Sequence, residues 1–403
     1  MKNKLVLLLI VLSITFVGCN LNKESKEKKE NTQDMSEIDK KVENTLNNMT
    51  LDEKIGQMIT ISYRKDSIDS TLKSALEDVK PGGFILFGEN MSSYDGTIKL
   101  VKEIKASSKI PMFISIDQEG GIVQRLLSIK GVEVSNIPSM YEVGLKDDEE
   151  LTYEVGKLIA EELKVFGINM DYAPVMDVYS NKDNKVIGKR AFGTTPEIVS
   201  KHGLKLAKSL EDNGVIPVFK HFPGHGNTAT DSHLDLPVVT KTKEELMNFD
   251  LIPFKDAIAN NASVIMIGHL AVPSITGDNT PASLSKTLIT DFLKKELGYK
   301  GLVVTDALNM GALTNYYSKE EICGKAVEAG VDVLLMPTSS RICLKSVKDA
   351  LNNKKITESQ INESVRKILT IKYEKLEKEY NNYLDKDYLN NDDHKDIINK
   401  IKG

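Results

Sequence analysis

From about residue 50 onward the chain alternates short, continuously apolar runs with longer stretches in which apolar residues recur every three or four positions. The apolar runs are Ile55–Ile61, Gly83–Phe87, Met112–Ile116, Ile168–Ala173, Val215–Phe219, Ser263–Ile267, Leu302–Thr305 and Val331–Met336. Stretches between them, such as Glu150–Val165, Pro196–Asn213 and Lys319–Ala329, have the period of amphipathic helices. Thr50 and Glu53 have the spacing of a capping box ahead of the first unit. Strands apolar on both faces, separated by helices, are the pattern of a parallel sheet covered on its outside. Eight such units in roughly 330 residues predict an α/β fold, a (β/α)8 TIM barrel forming a single catalytic domain. The competing open doubly wound sheet would carry a glycine-rich phosphate loop after its first strand, and none is evident.

The N-terminus has a different pattern. Lys2 and Lys4 precede an apolar stretch, Leu5 to Phe16, and then Val17, Gly18 and Cys19. This is the layout of a secretory signal, too short to span a bilayer, which takes about 20 residues. It resembles a bacterial lipobox, with Phe16 where leucine is usual, and implies cleavage before Cys19 and lipidation of that thiol. The domain layout expected is therefore a signal peptide over 1–18, a flexible Lys/Glu/Asn/Ser-rich tether over 19–40, the barrel over 41–378, and a polar tail over 379–403. The mature protein is expected outside the cytoplasm, anchored to the membrane by lipid.

Composition narrows the function classes. The net charge of -5 and the lack of a basic patch argue against nucleic acid as a partner. Tryptophan is absent and aromatic residues make up 6% of the chain, so polar contacts must carry much of any sugar recognition. Beyond Cys19 only Cys323 and Cys343 remain. Two buried thiols are the expectation, with one bridge as the alternative. No cofactor or metal is expected, and the chain is expected to be a monomer.

A barrel places its functional groups at the C-terminal ends of its strands, and the polar residues follow that rule. Run three ends in Asp117-Gln118-Glu119-Gly120-Gly121, run four contains Asp171 and ends near Asp177, run five ends in Lys220-His221, run six in His269 and run seven in Asp306. Charges at one end of most strands require a polar cavity to receive them. Asp306 fits a nucleophile, a metal ligand, a substrate anchor or an N-cap on Leu308-Asn309-Met310. The segment Lys220–His233 holds three of the six histidines. In an extended loop Asp231 and His233 lie on one side, an arrangement suited either to acid/base chemistry or to a hydrogen-bonded loop. A zinc site built from His221, His225, His233 and Asp231 is disfavoured, because Pro223 and Gly224 exclude the helix that usually presents such ligands. Arg190, between Gly188 and Gly193, reads as a guanidinium aimed by a shaped loop or as a surface residue.

Taken together, several motifs resemble glycoside hydrolase family 3, in its β-N-acetylglucosaminidase branch. They are Met49–Gln57, Ile116–Gly121, Asn169–Val178, Gly188–Gly193, Lys220–His233, Pro281–Ser285 and Thr305–Met310. The resemblance implies that Asp306 is the nucleophile and that His233, paired with Asp231, is the general acid/base. It implies that Asp117, Arg190, Lys220 and His221 grip the sugar. The implied substrate is a terminal β-linked N-acetylglucosamine on peptidoglycan fragments, cleaved with retention. A histidine acid suits a mobile loop in which Gly224 and Gly226 act as hinges. Because neutral imidazole repels an anion less than carboxylate does, phosphorolysis on the same site is an alternative, as is a non-catalytic muropeptide binder.

Overall fold

The computed structural model describes residues 35–228 and 231–403. The signal-like segment 1–18, Cys19 and most of the predicted tether lie outside the described residues. The chain divides into one unit ending at Asn48 and a second from Met49 to Gly403. The first contains helix Glu37–Asn48. It takes in the last four tether residues because Ser36 and Asp39 cap it reciprocally. The Asp39 amide donates to the Ser36 hydroxyl at 3.0 Å, and the Ser36 amide donates to the Asp39 carboxylate at 3.3 Å.

In the second unit the parallel strands are β1 Ile59–Ser62, β2 Gly83–Ile85, β3 Phe113–Ile116, β4 Met170–Asp171, β5 Ile216–Pro217, β6 Phe219–Phe222, β7 Val264–Ile267, β8 Leu302–Thr305 and β9 Leu334–Leu335. One six-stranded sheet runs β9-β1-β2-β3-β4-β5, and a three-stranded sheet runs β8-β7-β6. All of these pairings are parallel. Single parallel bridges join Val175 to Lys220 and Val304 to Val333. Strand residues are buried on both faces, as parallel strands under a helical layer must be. The result is a TIM-barrel-like α/β fold.

Two of the apolar runs differ from expectation. Ile55–Gln57 ends helix Leu51–Gln57 rather than beginning a strand. The Thr50–Glu53 capping box forms in full, and the helix it starts continues to the C-cap Met58, so β1 begins only at Ile59. The fifth run is split at Val218, whose amide bonds back to the carbonyls of Asp171 and Ala173. The run thus leaves the first sheet as β5 and enters the second as β6.

The helices hold to the predicted period. Glu149–Val165 buries Leu151, Val155, Leu158, Ile159 and Leu163 along one stripe, and Asp148 caps its first turn. Helices Lys319–Ala329 and Ser340–Asn352 pack side by side, which brings Cys323 and Cys343 to a Cα separation of 5.3 Å. The two are joined in a disulfide, not held as separate thiols. Among the described residues no helix is long and apolar enough to cross a membrane.

Segment 379–403, predicted only as a polar tail, is folded against this unit. Its helix Asp392–Lys402 packs on Glu149–Val165 and buries Ile398 and Ile401. His394 is buried between two carboxylates. Its Nδ1 lies 3.3 Å from Glu162 and its Nε2 3.0 Å from Glu161. Both ring nitrogens therefore donate only as imidazolium. Burial alone would lower the His394 pKa, but the bonds to Glu161 and Glu162 raise it to about 9. A raised folded pKa gives stability that is fully present below the ordinary histidine value and lost as pH rises through the folded one. Protection of 392–402 against hydrogen exchange, relative to the intrinsic amide rate at each pH, should therefore be high at pH 6 and fall above about pH 9. In His394→Ala it should be low at both, and equal protection of the wild type at the two pH values would exclude this clamp.

Candidate active site

The strand ends collect the predicted polar residues in two buried networks and one exposed loop. The first network begins at Asp117, directly after β3. Lys220 of β6 donates to Asp117 Oδ1 at 2.9 Å and ion-pairs with Glu119 at 2.6 Å. Arg190 grips the same Glu119 with both prongs, Nε to Oε2 at 2.8 Å and Nη2 to Oε1 at 2.7 Å. Its Nη1 donates to the Val186 carbonyl at 3.0 Å. Arg125 stands 3.7 Å from Asp117 on the other side. Burial would raise the Glu119 pKa, yet Arg190 and Lys220 hold it well below the carboxylate range. Burial likewise opposes charge on Lys220, and Asp117 and Glu119 outweigh it, raising its pKa. Glu119 is thus an anion shared by two cations, with a side chain only 1% exposed.

The second network centres on Asp177, which is fully buried. His221 Nδ1 lies 2.6 Å from its carboxylate, and the His225 amide donates to it at 2.6 Å. Burial opposes ionisation of Asp177, but His221 more than compensates and lowers its pKa. With Nδ1 used in this way, His221 Nε2 has no protein partner among the described residues. His225 is a neutral structural ring, its pKa lowered by burial and by His221. Its Nδ1 meets Thr228 Oγ1 at 2.6 Å and its Nε2 meets Ser232 Oγ at 3.2 Å. The zinc set considered from sequence is therefore divided, with the ring nitrogens of His225 and Nδ1 of His221 engaged by protein groups.

Asp306 stands directly after β8 and is half-buried. Burial would raise its pKa, but His269, His221 and Lys220 together with the Ala307 amide lower it. The Ala307 amide donates to its Oδ1 at 2.7 Å. It is not the N-cap considered from sequence, since the next helix is Gly311–Thr314, behind Met310. The turn after it is pinned by His269. This ring donates from Nε2 to the Ala307 carbonyl at 3.0 Å and accepts at Nδ1 from the Ser283 hydroxyl at 2.7 Å. Burial lowers its pKa, and the Asp306 carboxylate opposes that shift.

Asp231 and His233 form the expected pair, carboxylate to Nδ1 at 2.8 Å, and the His233 amide donates to the same oxygen at 2.9 Å. The His233 side chain is 66% exposed. Burial would raise the Asp231 pKa, but the His233 amide and ring lower it. Among the described residues no hydrogen bond or ion pair joins His233 to Asp306. Their segments are nevertheless fastened together. The Gly311 amide donates to the His233 carbonyl at 3.2 Å and the Ala312 amide to the Ser232 carbonyl at 3.2 Å. A Cβ on Gly311 would stand 2.7 Å from the His233 carbonyl oxygen, so glycine is required for this docking.

Several expectations change in detail. Gly226 is not a hinge: a Cβ there would lie 1.8 Å from the Val178 carbonyl, so glycine serves close packing. Asp171, grouped with the strand-end residues, is a core acid. It accepts the Gln118 amide at 2.9 Å, and burial raises its pKa well above the carboxylate range. Arg190 holds Glu119 rather than standing free. Sequence reading passed over Arg125 and treated Glu119 and Asp177 as mere neighbours. The signal for the last two was their position, since a carboxylate at a buried strand end needs cationic or N–H partners.

Comparison with known proteins places this geometry. Residues 50–371 match the glycosyl hydrolase family 3 N-terminal domain. A β-hexosaminidase A of Pseudoalteromonas piscicida is 34% identical over 316 residues, covering 72% of this chain and 53% of the relative, so the chain spans about half of that protein. A β-hexosaminidase of Mycobacterium tuberculosis is 31% identical over 329 residues, covering 79% of this chain and 82% of the relative. The solved family 3 β-N-acetylglucosaminidase of Paenibacillus sp. superimposes with a TM-score of 0.82 at 34% identity, over 88% of this chain and 68% of that one. With its strand-end carboxylates, lysine and histidines set in a TIM-barrel-like fold that matches over these lengths, the chain belongs to glycosyl hydrolase family 3.

Proposed function

We propose that the protein is a retaining, exo-acting β-N-acetylglucosaminidase that removes terminal non-reducing β-linked N-acetylglucosamine from peptidoglycan fragments. Asp306 attacks the anomeric carbon while His233 donates its proton to the departing glycosidic oxygen, so one C–O bond forms as the other breaks. Neutral His233 then takes a proton from water, whose oxygen displaces Asp306 and returns the sugar with its configuration retained. Asp231 orients the imidazole. Asp117, Lys220 and His221 hold the sugar, with Arg190 setting Lys220 through Glu119. The observation that carries this reading is the docking of the Asp231–His233 loop on the turn that follows Asp306, which supports nucleophile and acid working at one mouth.

The β-hexosaminidase relatives support an N-acetylglucosamine substrate. The bridges Val175–Lys220 and Val304–Val333 support closure of the strands into a complete (β/α)8 barrel as the single catalytic domain. The Cys323–Cys343 disulfide supports an extracytoplasmic location, because cytosolic thiols are kept reduced. It agrees with anchoring through Cys19.

Nitrophenyl β-N-acetylglucosaminide should be hydrolysed in strong preference to the β-glucoside. No turnover of either by folded protein would overturn the reading, and a rate that requires phosphate would convert it to phosphorolysis. His233→Ala should lower kcat/KM, which reports the first step alone, by about 10²–10⁴-fold on a disaccharide and far less on a dinitrophenyl glycoside, whose leaving group needs no proton. An equal loss on both would remove His233 from the acid role.

A further inference from the structure

We propose that Tyr316, with Leu234 beside the acid, forms the platform on which the leaving-group sugar rests and so sets aglycone specificity. The inference rests on the reading of His233 as general acid. If His233 protonates the glycosidic oxygen, the departing ring must lie over the loop that carries it. That loop presents Leu234, next in sequence to His233 and 72% exposed, and the segment docked against it presents Tyr316, 58% exposed. Most large apolar residues of this chain are buried, and the other tyrosine among the exposed large apolar side chains, Tyr388, belongs to the tail.

The ledge is built to be rigid. Besides the two backbone bonds from Gly311 and Ala312, Asn315 Nδ2 donates to the Leu234 carbonyl at 2.9 Å. The Tyr316 hydroxyl donates to Asp235 Oδ1. The ring is therefore fixed at its tip while its faces stay open, and it moves as one body with both His233 and the turn after Asp306. A pyranose has an apolar C–H face that packs on an aromatic ring, and a tyrosine offers such a face at low entropic cost. Asp235 supplies the polar edge. The Tyr316 hydroxyl and the Leu236 amide occupy Oδ1, which leaves Oδ2 to accept a sugar hydroxyl. In a chain without tryptophan, this is where ring stacking is available next to the acid.

The test compares two substrates that share the N-acetylglucosaminyl group and differ in what departs, a β-1,4-linked pyranose in a disaccharide and fluoride in the β-fluoride. Tyr316→Ala should lower kcat/KM on the disaccharide by about tenfold, the worth of one stacked ring, and leave the fluoride rate unchanged. Tyr316→Phe keeps the ring and should stay within about twofold of wild type on both. Leu234→Ser should cost about threefold on the disaccharide alone. Equal losses on the two substrates, or an unchanged disaccharide rate in Tyr316→Ala, would overturn the platform. A wild type that cleaves neither substrate would overturn the underlying glycosidase reading and the platform with it.

Discussion

Asp306→Asn should lower kcat on nitrophenyl β-N-acetylglucosaminide by about four orders of magnitude and leave the fold intact. The reason lies in what the carboxylate does and does not hold. Its one hydrogen bond among the described residues, from the Ala307 amide, can be kept by the Oδ1 of asparagine, and the turn is pinned independently by His269 through the Ala307 carbonyl. The substitution therefore removes a charge without removing an anchor, and the melting temperature should change by no more than a few degrees. Nucleophilic attack, however, requires the anion, and a neutral amide cannot form the glycosyl ester. Residual activity above about a hundredth of wild type would dismiss Asp306 as nucleophile. Asp306→Gly gives an independent check. Added azide should restore turnover and yield a glycosyl azide of inverted configuration, since it enters from the face the carboxylate has left. The pH profile should agree. His269, His221 and Lys220 hold Asp306 below the usual carboxylate pKa despite its burial, so the acid limb due to Asp306 should lie below that range.

How much of this was legible in the sequence depends on the distance over which each interaction acts. The helices and most strands are local patterns, and Lys319–Ala329 begins and ends where its periodicity and its flanking Ser318 and Gly330 indicate. The Asp231–His233 pair was legible for the same reason, since two residues of extended loop fix its geometry. The first apolar run was misread because Ile55, Met58 and Ile59 fit a helical stripe as well as a strand, and the Thr50–Glu53 capping box just upstream decided for helix. The Cys323–Cys343 bridge was not legible. A separation of 20 residues says nothing until two helices are known to pack side by side. The same holds for Glu119. Nothing near it in sequence announces that Arg190, 71 positions on, will grip it with both prongs. The tail was read from composition only as polar. Its helix nonetheless places Ile398 and Ile401 on one face, and it folds because His394 finds Glu161 and Glu162 on a helix more than two hundred residues earlier.

Glu119→Ala should destabilise the protein by about 3–5 kcal/mol, the range for removing one member of a buried ion network. Lys220 and Arg190 both depend on this carboxylate, and Lys220 is 2% exposed. After the substitution Asp117 is the carboxylate left in contact with Lys220, Asp177 still acts on Arg190, and Arg125 draws on the same Asp117 from the other side. In urea the midpoint should fall with the slope unchanged, and a loss below about 1 kcal/mol would mean the network is a solvated surface pair. Glu119→Gln separates charge from shape. It keeps an acceptor for Arg190 and should lose less stability than the alanine variant, yet it should still lose sugar affinity, because Lys220 is then drawn toward Asp117 and away from the substrate. The pH dependence gives the sign. Arg190 and Lys220 overcome burial to hold the Glu119 pKa down. A depressed folded pKa gives stability that is present above the unfolded carboxylate value and lost as pH falls toward the folded one. The advantage of wild type over Glu119→Ala should therefore be constant from neutral pH down to the ordinary carboxylate range and shrink only below it. Were the advantage instead to disappear between pH 7 and pH 5, a histidine would be carrying it, and the network around Asp177 and His221 would be the place to look.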